Sequence, residues 1–411
     1  MDESENEEIM ALTFLTEMQN SITENLQGPE ICEAILAWFA EHPEHEAESR
    51  EILKKWLSRM REKNASDIDF GAPGCDKKVW FRIYGSKKPV EEFGEFAYLE
   101  TSAIILSWLS PAQRSMLFIE RSVDFSLNFA LQEGNARFRG SCYFDSGHLG
   151  TNFRSINDKL YSMEGLGIPQ PVAQRMNLKH EKAGLVLITG ITGSGKSTTL
   201  DAIIDMNNRD NAAHIVIIGH PIEYMHTSKQ SLVRHREVGP DVKSFRLGAI
   251  EALRQDPDII VVGEMRDPQT IATVLEITDS GHKAFTTLHT SSAIDSIHRI
   301  VAEFPSDEQD RIRNRLADVL SVCMSQKLIP TIDGKLVLAK EILSVDSSVK
   351  AAIRNKNIGE IYQMMVEGKR VGMCTLEQDL KDLNRKGIIT QQSAINFANN
   401  KKRMSQLLAM G

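Results

Sequence analysis

One stretch, Gly184 to Leu200 (GLVLITGITGSGKSTTL), limits this chain more than any other. Leu185-Val186-Leu187-Ile188 is an apolar run that reads as a buried strand. It leads into Gly190-Ile191-Thr192-Gly193-Ser194-Gly195-Lys196-Ser197, which fits G-x-x-x-x-G-K-[ST] at each fixed position. Helix-compatible residues follow. The spacing solves a physical problem, the holding of a phosphate chain. Glycines let the backbone curl so that successive N–H groups point inward at an anion. The helix behind them adds its positive end. Lys196 can reach the β- and γ-phosphates, and the Ser197 hydroxyl can ligate Mg²⁺. Gly190, Thr192, Gly193, Ser194, Gly195, Lys196, Ser197 and Thr198 are therefore the candidate nucleotide-binding residues. An ordinary glycine-rich turn would have to match four fixed residues, and their strand-before, helix-after setting, by chance. ATP with Mg²⁺ is the expected ligand.

The rest of the chain excludes several classes. No apolar run approaches the ~18 residues that span a bilayer. The first ten residues, MDESENEEIM, are the reverse of a secretory leader. Five scattered cysteines with no CxxC pair argue against a zinc ribbon or a disulfide framework and suit a reducing cytoplasm. The net charge of −8 is unevenly spread: residues 1–50 hold thirteen carboxylates against one arginine. The remainder is mildly positive, too little to imply a nucleic-acid partner.

Taken in order, residues 7–60 show helical periodicity. Ile9, Leu12, Leu15, Met18, Ile22 and Leu26 form one face. Ile31, Ile35, Leu36, Trp38 and Phe39 form a second, and Ile52, Leu53, Trp56, Leu57 and Met60 a third, with breaks at Gly28-Pro29 and Pro43. This is either a small helical subdomain packed on itself or on the core, or a docking module. From Asn64 an α+β domain of about 100 residues is expected. It has a strand at 79–85, helices at 101–109 and 113–118, and a strand pair, 125–130 and 136–144, around a turn at Gln132-Glu133-Gly134-Asn135. A linker with Gly165, Gly167, Pro169 and Pro171 follows. From Gly184 strands and helices alternate, the mark of a parallel sheet covered on both faces. Beyond Val345 the chain reads as helical, with a turn at Gly387. The expected divisions are 1–62, 63–160, 161–181, 182–345 and 346–411.

Ligands of open parallel sheets sit at the carboxyl ends of strands, so polar residues there carry weight. Ile259-Ile260-Val261-Val262-Gly263-Glu264 is a Walker B pattern, and Glu264 can hold Mg²⁺ through water opposite Ser197. Glu223, in His220-Pro221-Ile222-Glu223, can polarise the attacking water. His289, in Thr287-Leu288-His289-Thr290, can sense the γ-phosphate. His282 stays open between a site role and a structural one.

From Asn64 onward these residues resemble the secretion and pilus motor ATPases, above all the type IV pilus retraction (twitching motility) ATPases. The resemblance rests on the following stretches, in the family's order: Ala65-Ser66-Asp67, Ala136-Arg137-Phe138-Arg139, the phosphate loop, Pro221-Ile222-Glu223-Tyr224 and Arg236-Glu237-Val238-Gly239. It continues through Ala252-Leu253-Arg254-Gln255-Asp256-Pro257-Asp258, Gly263-Glu264-Met265-Arg266-Asp267, Gly281-His282, Thr287-Leu288-His289-Thr290, and Gly372-Met373 with Thr375-Leu376-Glu377. Residues 1–60 lie outside it. The resemblance implies an α/β fold: a RecA-like P-loop NTPase domain preceded by a PAS-like α+β domain, with helical additions at both ends. It implies a cytoplasmic homohexamer at the inner face of the membrane, with ATP between the two domains. The implied partners are an inner-membrane pilus platform protein and a paralogous motor ATPase. It makes Glu223 the catalytic glutamate and Glu264 the Walker B glutamate. It places His289 and His282 in a histidine box, Arg266 beside the site, and Arg137, Arg139 and Arg154 as phosphate-reaching arginines. Three departures stand out. The aspartate box I-E-D-P-I-E is here Ile218-Gly219-His220-Pro221-Ile222-Glu223, which bears on Mg²⁺ affinity, pH dependence and turnover. The stretch Ser348–Asn355 matches the retraction helix A-I-R-N-L-I-R-E only faintly. The helical extension is unusual. Together they point to a divergent or accessory retraction-type motor. The alternatives are a pilus-extension or type II secretion ATPase, or a weakly hydrolysing regulator of a partner motor.

Overall fold

A computed structural model describes residues 14–22, 26–83, 85–131, 134–156 and 160–409. The acidic run before Phe14, with Ile9 and Leu12, and the turn expected at Gln132-Glu133 lie outside the described residues. The chain forms two compact units, Met1–Asp158 and Lys159–Gly411.

The first unit is built on a six-stranded antiparallel sheet. Its strands are β1 (Asp67–Gly71), β2 (Trp80–Ile83), β3 (Ser86–Pro89), β4 (Ser122–Leu131), β5 (Gly134–Asp145) and β6 (His148–Ile156), in the order β3-β2-β1-β6-β5-β4. Side chains alternate between faces with period two. Ile68, Phe70, Phe81, Val123, Phe125, Phe138 and Phe153 line one face and are buried. Against that face lies the helix Tyr98–Trp108, buried from Thr101 to Ser107. A helix buried on every side over this stretch needs cover on all sides. The helices Pro29–Glu41 and Pro43–Glu62 supply it with Ile31, Ile35, Leu53, Trp56, Leu57 and Met60, in one core continuous with the sheet. The described part of the helical extension therefore packs on the α+β core, and the division expected at residue 62 falls inside that shared interior.

The second unit holds a seven-stranded sheet. Its strands are β7 (Gly184–Thr189), β8 (His214–Gly219), β9 (Leu232–Glu237), β10 (Ile259–Val262), β11 (Lys283–Leu288), β12 (Leu320–Pro330) and β13 (Leu336–Ser344), in the order β13-β12-β7-β11-β10-β8-β9. All neighbours pair in parallel except β12 with β13. The apolar runs Leu185–Ile188, Ile215–Ile218 and Ile259–Val262 are buried because helices cover both faces. Three strands escaped the sequence reading. β9 (LVRHRE) is a polar edge strand, and β12 carries Ser321, Ser325 and Gln326 where an apolar run would be expected. β13 is its antiparallel partner across a turn at Gly334. The final helices between Leu376 and Ala409 pack through Leu376, Leu380, Leu383, Ala394 and Met404 on Ile329 and Ala339 of that pair. Among the described residues no helix is long and apolar enough to cross a membrane.

Candidate functional site

Four adjacent parallel strands run β7-β11-β10-β8, so the residues after their carboxyl ends gather at one edge of the sheet. The loop after β7 is the phosphate loop, and it opens directly into the helix Lys196–Asp210. Gly190 is required by close approach: a Cβ there would lie 2.4 Å from Ser194 Oγ and 2.6 Å from the Gln326 carbonyl. Gly195, the cap of the helix, has φ 85°, which side chains disfavour. Lys196 Nζ donates to the Gly190 carbonyl at 2.8 Å and the Ile191 carbonyl at 3.0 Å. Partial burial lowers the Lys196 pKa, while Glu223 and Glu264 pull it the other way. These two carboxylates, after the ends of β8 and β10, thus act electrostatically on the same ammonium.

Glu264 holds the centre. Arg266 Nη2 is 2.8 Å from its Oε2, and His289 Nε2 is 3.7 Å from the same atom. Burial first, then the charge of Lys196, lowers the His289 pKa, which favours the neutral imidazole. Thr287 Oγ1 donates to the Gly263 carbonyl at 2.6 Å, which ties the ends of β10 and β11 together. Glu264, Arg266, His289 and the loop are therefore one constellation, with Glu223 exposed beside it.

His282 is elsewhere. It precedes the first residue of β11, and His289 follows the last. Seven extended steps of ~3.3 Å set the two residues roughly 20 Å apart, at opposite edges of the sheet. His282 instead bonds Ser280 Oγ at 3.0 Å through Nδ1, a local turn contact. His220 is likewise occupied: its Nδ1 lies 3.0 Å from the Val238 carbonyl, to which it donates. The imidazole in place of the expected aspartate braces the loop against the segment after β9.

The three candidate arginines belong to the first unit. Arg139 and Arg154 are direct partners across β5 and β6, and Arg137 is two residues from Arg139 on the same strand. All three lie on the polar face of that sheet. Arg154 Nε is 2.8 Å from Asp67 Oδ1, Arg139 Nη2 is 3.1 Å from Asp124 Oδ2, and Arg137 Nη2 donates to Ser126 Oγ at 3.3 Å. Lys87 with Asp69 at 2.8 Å extends the charged array.

Some supports of the loop had no sequence signal. Gln326 on β12, buried, donates to the Ser194 carbonyl at 2.8 Å. Thr189, at the end of β7, meets Ser325 Oγ at 2.5 Å, and Ser296 joins Thr290 Oγ1 at 2.6 Å. Buried His226, three residues after Glu223, contacts Asp201 on the phosphate-loop helix at 3.0 Å. Sequence shows each as one polar residue among many; only the pairing of β7 with β12 brings Gln326 to the loop. Ser194 Oγ is buried without a hydrogen-bond partner, inside the curl that Gly190 leaves open. Such a cradle fits a phosphate group. The hard oxygen donors of Ser197 and Glu264 fit Mg²⁺.

Comparisons with known proteins cover most of the chain. Residues 43–408 match the family described as Type II/IV secretion system protein. A twitching motility protein of Neisseria gonorrhoeae is 35% identical over 377 residues, 91% of this chain and 98% of that protein. The type IV pilus retractation ATPase PilT of Pseudomonas aeruginosa is 39% identical over 342 residues, 83% of this chain and 96% of that one. A crystal structure of the pilus retraction motor PilT with bound ADP superposes with a TM-score of 0.76 at 36% identity, covering 86% of this chain and 98% of that chain.

Proposed function

The chain belongs to the Type II/IV secretion system protein family, and from that premise we propose that it is an ATP-hydrolysing motor of the pilus-retraction kind. The observation that carries the reading is the convergence of Lys196, Glu264, Arg266 and His289, with Glu223 alongside, at the carboxyl edge of one parallel sheet. Each has a distinct task. The loop amides and Lys196 hold the β- and γ-phosphates and balance the charge that grows on them during transfer. Glu223 orients the attacking water and accepts its proton. Neutral His289 donates one hydrogen bond at the γ-phosphate position and so reports whether that group is present. Ser197 and, through water, Glu264 would hold Mg²⁺, which when bound neutralises the β/γ oxygens. Arg137, Arg139 and Arg154 are the further phosphate-reaching arginines in this reading, each adding a guanidinium to balance the developing charge. Hydrolysis is turned into work by a homohexamer acting on an inner-membrane pilus platform protein, at the cytoplasmic face of the membrane. A paralogous motor ATPase is a further partner in this reading.

The test is phosphate release by the purified chain with ATP and Mg²⁺, against Lys196→Ala and Glu223→Ala. Both variants should fall to background; unchanged turnover in both overturns the assignment. In cells, Lys196→Ala in place of the wild-type chain should leave surface pili and abolish twitching. Loss of surface pili would instead identify an extension motor. Tight ATP binding with no phosphate release, even with a partner motor present, would identify the weakly hydrolysing regulator.

A further inference from the structure

The junction between the two N-terminal helices carries a group of side chains that nucleotide chemistry does not use. The sequence there is His42-Pro43-Glu44-His45-Glu46. His42 caps the end of Pro29–Glu41 and the start of Pro43–Glu62 at once, and Pro43 fixes the first turn of the second helix. His42 Nδ1 and His45 Nε2 each stand 3.9 Å from Glu44 Oε1. The three donor atoms lie within 4.8 Å of one another.

Three features separate this group from a solvated charge cluster. The first is the tautomer of His45. Its Nδ1 lies 2.7 Å from Glu48 Oε2. An ionised carboxylate can only accept, so Nδ1 donates to Glu48, and Nε2 is the ring nitrogen on the Glu44 side. An outer carboxylate that orients a histidine in this way is the usual support of a metal-bound imidazole. The second is rigidity. The His45 ring is stacked on Phe14 at 5.0 Å and on Trp38 at 5.4 Å, and the His42 ring rests on Trp38 at 4.6 Å. The third is the fit. Ligand atoms ~2.0–2.1 Å from a tetrahedral zinc ion sit roughly 3.3 Å apart; with 3.9 Å to Glu44 from each imidazole and at most 4.8 Å between the imidazole nitrogens, the three side chains must draw together to meet one ion. Two imidazoles and one carboxylate suit Zn²⁺ better than the all-oxygen cations.

We propose that His42, Glu44 and His45 form a divalent transition-metal site that takes Zn²⁺ in preference to Mg²⁺ or Ca²⁺, with Glu48 orienting His45 and the fourth position open to solvent. The ion ties the end of one helix to the start of the next, and so fastens the cover over the buried helix Tyr98–Trp108. The experiment uses the full chain stripped with a chelator, titrated with Zn²⁺ alone against a chromophoric competitor, alongside thermal unfolding. One equivalent should bind, and the unfolding midpoint should rise. Glu48→Gln should weaken binding about 10–100-fold, and Glu44→Gln should weaken it at least as much. Both side chains are well exposed, so these variants fold as the parent does. The double variant His42→Ala with His45→Ala should bind no stoichiometric Zn²⁺. Affinity should fall at acid pH, because a protonated imidazole cannot ligate. Lys196→Ala should bind Zn²⁺ as the parent does, which separates this site from the nucleotide reading. No stoichiometric binding, or unchanged affinity in Glu44→Gln together with the double histidine variant, overturns the proposal.

Discussion

The two sheets of this protein handle charge in opposite ways. In the parallel sheet of the second unit the interior of the central strands is apolar and the charge sits at strand ends, where Lys196, Glu264, Arg266 and His289 meet. In the antiparallel sheet of the first unit the charge covers one whole face, largely as opposite-sign pairs: Arg154 with Asp67, Arg139 with Asp124, Lys87 with Asp69. A parallel sheet must bury both faces, so its polar groups are driven to its edge, and there they concentrate. An antiparallel sheet can leave one face wet, so its polar groups spread and neutralise one another. The first arrangement builds a site from few residues. The second builds a surface whose charges are already balanced.

Four measurements can break or sharpen that contrast. The largest effect should come from Glu223→Gln, which leaves a neutral isostere at the edge of the parallel sheet. Turnover should drop roughly 10²–10⁴-fold while nucleotide affinity is kept. Equal loss of both would mean that the carboxylate binds rather than catalyses.

Next is Glu341→Gln on β13. Glu341 Oε1 accepts the Ala293 N–H at 2.8 Å, and burial, with Glu377 nearby, raises its pKa to about 7 from the ordinary 4.5. Between those values the native state holds more protons than the unfolded state. Stability therefore falls as pH rises from 4.5 through 7, by a few kcal/mol at most. The glutamine variant should lose that slope in chemical unfolding of the second unit. A slope unchanged from the parent would show that the carboxyl ionises freely.

Third, Arg154→Ala removes the 2.8 Å partner of Asp67, whose side chain is only 4% exposed. Arg82 remains at 3.5 Å. The first unit should lose about 1–3 kcal/mol, visible in denaturant midpoints. Smallest in stability is Arg139→Ala, since that pair is well exposed on both sides. A change within about 1 kcal/mol is expected. Turnover that falls tenfold or more in Arg139→Ala, with stability intact, would assign this arginine to the nucleotide. Unchanged turnover would leave it a surface pair.

Legibility followed the same division. The strands of the parallel sheet announced themselves because burial on both faces leaves continuous runs such as Ile259-Ile260-Val261-Val262, and the end of each run marks the site edge. The alternation in Ala136–Phe144 was as legible, because one face is wet. β9 was not, because it is a polar edge strand, and β12 was not, because its polar residues answer to partners distant in sequence: Gln326 to the Ser194 carbonyl, Ser325 to Thr189. His282 and His289 looked alike as residues beside a strand, and only the direction of β11 separates them.

The sequence alone determined the phosphate loop, because G-x-x-x-x-G-K-[ST] between strand and helix is a local solution that needs no distant residue. It also determined the α/β class and the candidates Glu223, Glu264 and His289, since strand ends are visible in a one-dimensional pattern. Tertiary structure alone decided which of them touch, that His282 stands at the far edge, and that Gln326 and the Asp201–His226 contact brace the loop and its helix. It also decided that the helices beside His42 and His45 close over a buried helix. These are long-range pairings. They depend on strand order and packing, which a local pattern of residues does not encode.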